Sequence, residues 1–411
     1  MRDFLGDLRG RAIWVVLGCL ICQFGPGFGY AIGGAVAPAM LAEFGWTRAL
    51  YAAAQGPQTL LIAFTSPLVG FLVGRYGGRA VLASACVVIT IGYALMAGMQ
   101  AWWQFAVACA VVGFGVAGLG DITVGATVAR WVTRSRGLAL GIVYTGSNIG
   151  GVIATRGGAA LADIANWRAA VAAMAMTCAL VLLPAAWFAV RDRPVASNPV
   201  ADDVSDASAI ADERDLDARA AVRTRSFWLI AIGLLGFWAY LYAMLAHFVL
   251  ALIDAGVPGE AASAHMANAV AMGMFSKVAF GWICDRVSPK AALLLDYGML
   301  TLSALLLLGV SSGDTARIWS FVLLFGFSYA ARDLVTPLII VHCFGSRNLA
   351  QIYGLLMLTI LPGSAGGVFA GWVHDRTGSY QLAFLTLAAI TAATFALLFA
   401  VRDERRPIVA A

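Results

Sequence analysis

The chain has 411 residues, 61% of them hydrophobic and only 12% charged, with a formal net charge of +5. Soluble domains carry roughly a quarter of their residues as charges, so this composition, with its mean hydropathy of +0.84, excludes a water-soluble globular protein and calls for a bilayer. The positive balance comes without any basic-aromatic cluster, which excludes a nucleic-acid partner.

Twelve apolar stretches follow one another, near residues 13–40, 48–74, 79–99, 102–130, 136–162, 167–190, 226–253, 259–285, 290–310, 316–343, 347–373 and 380–402. A helix needs about 20 residues to cross a hydrocarbon core about 30 Å thick, and each stretch suffices. The first is too long and too rich in glycine for a cleavable signal, so it is expected to stay in the membrane. Its Gly25, Gly27, Gly29, Gly33 and Gly34, with Pro26 and Pro38, predict a helix that bends.

Between the sixth and seventh stretches, Arg191 to Arg225 carries eight acids, six arginines and two prolines, the composition of a linker. The expected fold is therefore an all-α membrane protein: an N-terminal six-helix bundle over 1–190, a cytoplasmic linker over 191–225 and a C-terminal six-helix bundle over 226–411. Of the 27 basic residues, 20 fall on the side that holds both termini and the linker, and four (Arg48, Arg168, Arg317 and Arg376) on the other. Positive charge marks the cytoplasmic face, so both termini are expected inside, in the cytoplasmic (inner) membrane.

The two bundles repeat one another. Gly70, Gly74, Arg75, Gly77 and Arg79 close one stretch as Gly281, Asp285, Arg286 and Lys290 close another, 211 residues later. Trp131, Arg134 and Gly141 recur as Phe344, Arg347 and Gly354, and Asn166, Trp167 and Ala170 as Ser379, Tyr380 and Ala383, both at an offset of 213. Parallel repeats around a shared cavity are an architecture of alternating-access carriers.

Three segments carry a family resemblance: Phe44-Gly45-Trp46-Thr47-Arg48, then Arg130-Trp131 through Arg136-Gly137-Leu138-Ala139-Leu140-Gly141, and Ala370-Gly371-Trp372 through Asp375-Arg376-Thr377-Gly378-Ser379-Tyr380. Together they resemble the major facilitator superfamily, and within it the monocarboxylate and oxalate/formate porter branch. The resemblance implies two six-helix bundles whose helices 1, 4, 7 and 10 line the path. Lys277 stands where that branch commonly has an arginine that grips a carboxylate. Gly74 replaces an aspartate of the superfamily's loop signature, and Gly273 replaces the helix-8 aspartate that resembles the coupling site of animal monocarboxylate carriers. The helix-11 lysine of oxalate exchangers has no counterpart.

Ionised side chains near mid-bilayer cost at least about 2.5 to 3.5 kcal/mol each, so they persist where they line a wet cavity or find partners. Six occur here: Asp121, Arg156, Lys277, Asp296, Arg332 and Asp333. Lys277 and Arg332 are the expected cations for a carboxylate-bearing substrate, Arg as a planar fork and Lys as a point charge. Asp121 and Asp333 are expected as ion partners or coupling groups; the competing reading is that all four neutralise one another and hold the bundles together. Consecutive residues diverge by about 100° on a helix, so Arg332 and Asp333 are not expected to point the same way. His247, which matches a histidine common in this branch, is a candidate proton carrier. Tyr30, Tyr144, Asn148, Trp238 and Tyr242 could orient a substrate, although each alone is more often packing. Arg156, Asp285, Arg286, Arg75 and Arg79 are expected at gates, and Asp296 is expected as a peripheral lock.

The seven cysteines, all in helices or at their inner ends, predict packing thiols rather than disulfides or a metal site. No cofactor is expected. No metal cluster, nucleophile elbow or phosphate loop suggests an enzyme. The expected function is secondary active transport of a small organic anion, a mono- or dicarboxylate, by a monomeric carrier, as a proton symporter or an exchanger against another anion. Efflux of a larger amphipathic compound is the alternative carrier function, and a non-transporting membrane sensor the alternative of another class.

Overall fold

The computed structural model describes residues 10–46, 48–132, 135–192 and 215–405, in which every regular element is helical. Among them are twelve helices long and apolar enough to cross a membrane: α1 (Arg11–Ile32), α2 (Ala53–Tyr76), α3 (Gly78–Ala97), α4 (Trp102–Trp131), α5 (Arg136–Ile164), α6 (Trp167–Ala189), α7 (Arg225–Asp254), α8 (Gly259–Cys284), α9 (Pro289–Leu306), α10 (Thr315–Phe344), α11 (Leu349–Thr377) and α12 (Gln381–Leu398). Contacts divide the chain into two compact units, one of Met1–Glu213 with Asn348–Leu358 and the other of Arg214–Arg347 with Thr359–Ala411. The division of α11 falls at its 3-10 turn, Met357–Thr359.

In the first unit α1 packs on α5, α2 on α4, and α3 on both α4 and α6; in the second α7 packs on α11, α8 on α10, and α9 on both α10 and α12. Adding six to each helix of the first list yields the second, so the repetition read from sequence is a repetition of packing. Glycine makes the closest of these contacts possible. A Cβ added at Gly27 of α1 would collide with the carbonyl oxygen of Ser147 in α5, and one at Gly366 of α11 with that of Ala239 in α7. Side chains larger than hydrogen would push these helices apart.

Several spans are interrupted. The first helix breaks at Gln23, with helical segments Arg11–Cys22 and Phe24–Phe44 on either side; Pro26 has no N–H to return to the Cys22 carbonyl, so the ladder fails there. The bend expected from the glycines and prolines thus has a definite place. Helix α4 stops at Leu119 and resumes at Asp121, because Gly120 adopts an extended conformation, φ −75° and ψ −168°. Helices α5 and α6 contain π-helical turns at Ile153–Gly157, Cys178–Leu182 and Ala185–Ala189. By contrast α10 is one unbroken helix of 30 residues.

Both flanks of the linker are fixed to their own units. The Asp192 carboxylate accepts the backbone N–H of Gly78 at 2.6 Å and that of Arg79 at 3.3 Å, satisfying free donors at the start of α3, and Trp131 Nε1 donates to the Arg191 carbonyl at 2.7 Å. Asp215 accepts from Arg347 N at 3.0 Å, and Asp217 caps a short helix, Ala218–Val222, through Ala220 N at 2.6 Å. The linker expected over 191–225 otherwise falls mainly on 193–214, outside the described residues.

Candidate functional site

Three of the expected charges meet in the second unit. Helix α8 supplies Lys277, whose Nζ lies 3.1 Å from Asp333 Oδ2, while the other carboxylate oxygen of Asp333 takes the Arg332 guanidinium. The side chains of Arg332 and Asp333 leave α10 in different directions, as the helical geometry requires, and the long arginine folds back to reach its neighbour. One carboxylate is thus shared by two cations, with Lys277 and Arg332 only 5% and 8% exposed. Removing the carboxylate from such a cluster leaves uncompensated buried charge, at a cost of about 3–5 kcal/mol.

The aromatic side chains of α7 form a wall against this cluster. The Arg332 guanidinium lies 4.6 Å from the centre of the Trp238 ring and 5.4 Å from that of Phe237, an arrangement that stabilises the cation by about 0.5–2 kcal/mol. Tyr242, one turn beyond Trp238, stands 6.2 Å from it, ring to ring. Trp238 Nε1 is buried and has no hydrogen-bond partner among the described residues. Lys277, Arg332, Asp333, Trp238 and Tyr242 are therefore brought together in one place. Below the cluster, Pro337 cannot donate to the Asp333 carbonyl, so α10 lacks one rung of its ladder.

The missing helix-8 acid has a structural counterpart. A Cβ at Gly273 would lie 2.6 Å from the Tyr329 hydroxyl oxygen and 2.8 Å from its ring, so Tyr329 fills the place a side chain would take, and its hydroxyl donates to the Val270 carbonyl at 3.2 Å. Ser276 Oγ, next to Lys277, donates to the Phe327 carbonyl. These two bonds hold α8 against α10.

His247 belongs elsewhere in the unit. Its Nε2 contacts the Gly367 carbonyl at 2.9 Å and its Nδ1 the Tyr380 hydroxyl at 3.1 Å; since a carbonyl can only accept, Nε2 carries the proton in this arrangement. Near it, His374 Nε2 lies 3.1 Å from Asp254 Oδ2, joining the ends of α7 and α11. A cavity of about 230 Å³ opens here, lined by residues including Phe248, Asp254, Tyr380 and Gln381. It has no lysine or arginine in its lining and is not the site of the charge cluster. Arg286 stacks on Trp282 at 3.7 Å and donates to its carbonyl at 3.0 Å, next to Asp285 at the C-terminal end of α8.

Asp296 is the residue that sequence reasoning misplaced. It was expected as a peripheral lock, yet it is 1% exposed, inside α9 and against α10. Its Oδ1 accepts from Ser328 Oγ at 2.8 Å, and its Oδ2 has no partner among the described residues. The apolar length of α9 indicated a membrane span but not which face Asp296 occupies.

The first unit buries different groups. Asp121 opens the second half of α4; Gln23 Nε2, at the break in the first helix, donates to its carboxylate at 3.3 Å, and the Tyr144 hydroxyl to its backbone carbonyl at 3.1 Å. Tyr144 is fully buried, so it positions the α4 break. Asn148, one turn later, is half-buried, with a side-chain carbonyl oxygen that lacks a partner among the described residues. Tyr30 is exposed, beside Gln58, whose Nε2 donates to the Gly29 carbonyl at 2.8 Å. Arg156 is exposed within the π turn of α5. Arg75 lies 5.4 Å from the Tyr76 ring and Arg79 4.4 Å from that of Trp187. The seven cysteines are buried free thiols.

Comparison with known proteins agrees with this architecture. The sequence profile of the Major Facilitator Superfamily matches residues 19–359. Monocarboxylate transporter 11 of Mus musculus is 24% identical over 337 residues, 79% of this chain and 72% of the mouse protein. An uncharacterized MFS-type transporter of Bacillus subtilis, YcxA, is 24% identical over 335 residues, 76% of each chain. Among solved structures, the E. coli fucose:proton symporter FucP superposes with a TM-score of 0.68 at 14% identity, covering 96% of this chain and 99% of its own. The proton:xylose symporter XylE gives 0.70 at 12% identity, covering 96% and 98%. Profile, packing and superposition agree: the chain belongs to the major facilitator superfamily and is an integral multi-pass membrane transporter.

Proposed function

We propose that this transporter carries a small organic anion bearing one or two carboxylates, by alternating access, in symport with a proton or in exchange for another anion. The observation that carries the reading is the buried Lys277–Asp333–Arg332 cluster against Trp238. A substrate carboxylate competes with Asp333 for the two cations, and the planar guanidinium offers it a bidentate grip. The Trp238 and Tyr242 rings supply the apolar wall on which the rest of a small acid rests. The likeness to proteins named monocarboxylate transporters supports the same class of substrate. Both termini are assigned to the cytoplasm from the basic residues, and Arg156, Arg75, Arg79, Asp285 and Arg286 to the ends that open and close. The aromatic wall also suits efflux of a larger, weakly charged amphipathic compound, the second reading.

Thermal melting of the purified protein against a panel of mono- and dicarboxylates tests this directly, because a ligand that binds only the folded protein raises its stability. A carboxylate that stabilises wild type and not Lys277→Ala supports the anion site; stabilisation that persists in the variant removes it. Counterflow in proteoliposomes then separates a carrier from a sensor.

A further inference from the structure

We infer that Asp296 is a proton-binding site of this transporter, and that its proton is taken up together with the anion. The inference rests on the carrier reading above and adds the coupling group.

Among the Asp, Glu, Lys and Arg residues of the second unit, four lie in the interior of its spans: Lys277 in α8, Asp296 in α9, and Arg332 and Asp333 in α10. Asp333 is committed to both cations. Asp296 is not; among the described residues its one side-chain donor is the neutral hydroxyl of Ser328, and its other carboxyl oxygen is buried without a partner. Ser328 stands one helical turn before Arg332 on the same face of α10, so the carboxyl group abuts the cluster without joining its ion pairs. An ionised carboxylate closed off from water is costly unless cations or several donors compensate it. The carboxylic acid form removes the charge.

The groups facing Asp296 define what that proton controls. Helix α9 packs on α10, which carries Arg332 and Asp333 one turn beyond Ser328, and on α12, which contributes no charged residue; Tyr297 is the neighbour of Asp296 on α9. The interior set carries two cations and one or two anions, depending on Asp296. With Asp296 ionised, the set is electrically balanced and a second carboxylate is repelled. With Asp296 protonated, the set holds one surplus positive charge, and an incoming carboxylate restores neutrality. Proton and anion therefore favour one another, and loss of the proton expels the anion. A side chain at Gly273 of α8 is blocked by Tyr329, whereas Asp296 of α9 is tied by Ser328 to the turn of α10 that precedes Arg332.

The test begins without any substrate. The full-length protein in lipid nanodiscs at neutral pH should show the infrared C=O stretch of a protonated carboxyl group, shifted in D₂O, in wild type and in Asp333→Asn, but not in Asp296→Asn. Ser328→Ala, which removes the hydrogen bond to Oδ1, should shift that band. Absence of the band from wild type, or its persistence in Asp296→Asn, overturns the proposal. Should Asp296→Asn fail to fold, the Ser328→Ala shift decides, and an unmoved band is the negative result. In proteoliposomes, with radiolabelled lactate and malate as probes, Asp296→Asn should lose accumulation driven by a pH gradient while still exchanging label. Gradient-driven accumulation that survives the substitution overturns the coupling. Failure of both probes in wild type, with the infrared band as expected, counts against the carboxylate reading and leaves the proton site standing.

Discussion

At comparable places in the repeat, α4 presents Asp121 at a break in its helix and α10 presents Arg332 and Asp333 in an unbroken one. In the first unit Gln23 donates to the Asp121 carboxylate and Tyr144 to its backbone carbonyl. Around Asp333 the second unit gathers two cations and an indole. The glycine contacts that set the helices together are alike in both, at Gly27 and at Gly366. A duplicated packing scheme can therefore be kept while the polar groups inside it diverge, because close backbone contact and buried charge draw on different residues of the same helices.

The sharpest way to break this comparison is to remove a cation. Lys277→Ala should weaken carboxylate binding about 10- to 100-fold, the loss of one charge-assisted contact worth about 1.5–3 kcal/mol, and Lys277→Arg should recover part of it. Tyr144→Phe in the first unit should cost about 1 kcal/mol of stability and leave carboxylate affinity nearly unchanged. Both are read from the shift in melting temperature against carboxylate concentration. Equal losses of affinity would place the anion site in both units.

The shared skeleton is probed by Gly27→Val and Gly366→Val. Each drives a side chain into a backbone carbonyl, and each should destabilise its unit by about 1–3 kcal/mol, seen as a lowered melting temperature. Tolerance at one position alone would show that the two packings are not equivalent. Trp238→Leu keeps apolar bulk but removes the face beneath Arg332, and should weaken carboxylate binding by about 0.5–2 kcal/mol, measured by the same melting shift.

The smallest effect concerns the C-terminal end of the helical segment Phe24–Phe44. Glu43 accepts from Trp167 Nε1 at 2.6 Å and from Arg168 at 2.6 Å. These bonds, the Trp167 one foremost, hold its carboxyl below the usual carboxylate range. A carboxylate with a depressed folded pKa contributes stability above its unfolded value of about 4.3 and loses it as the pH falls through the folded one. Glu43→Gln should therefore cost less than about 1 kcal/mol at neutral pH, since the pair is partly exposed. The difference from wild type should close as the pH is lowered beneath about 4. A gap that widens in acid would be evidence against the assignment.

Much of the fold was legible because the length and apolarity of a span are local properties of the chain. Lys277, Arg332 and Asp333 were legible as a group because charge inside an apolar span is rare enough to stand out. The break at Gly120 was not, since many helical glycines leave no break and only packing against neighbours decides. Trp238 beneath Arg332 and Ser328 beside Asp296 depend on the rotation of one helix about its axis relative to another, which apolar length does not encode. Asp296 was misjudged for the same reason: position along a span gives depth, not facing.

The placement of Trp238 also gives the protein an optical reporter. Indole emission responds to nearby charge, and here a guanidinium stands 4.6 Å from the ring centre. An anion that draws Arg332 away from Asp333 changes the field across that indole. The difference in fluorescence between wild type and Trp238→Phe isolates this ring from the other eleven of the chain's 12 tryptophans. Occupancy of the site can then be followed in unlabelled protein, in real time, and without knowing in advance which acid is bound.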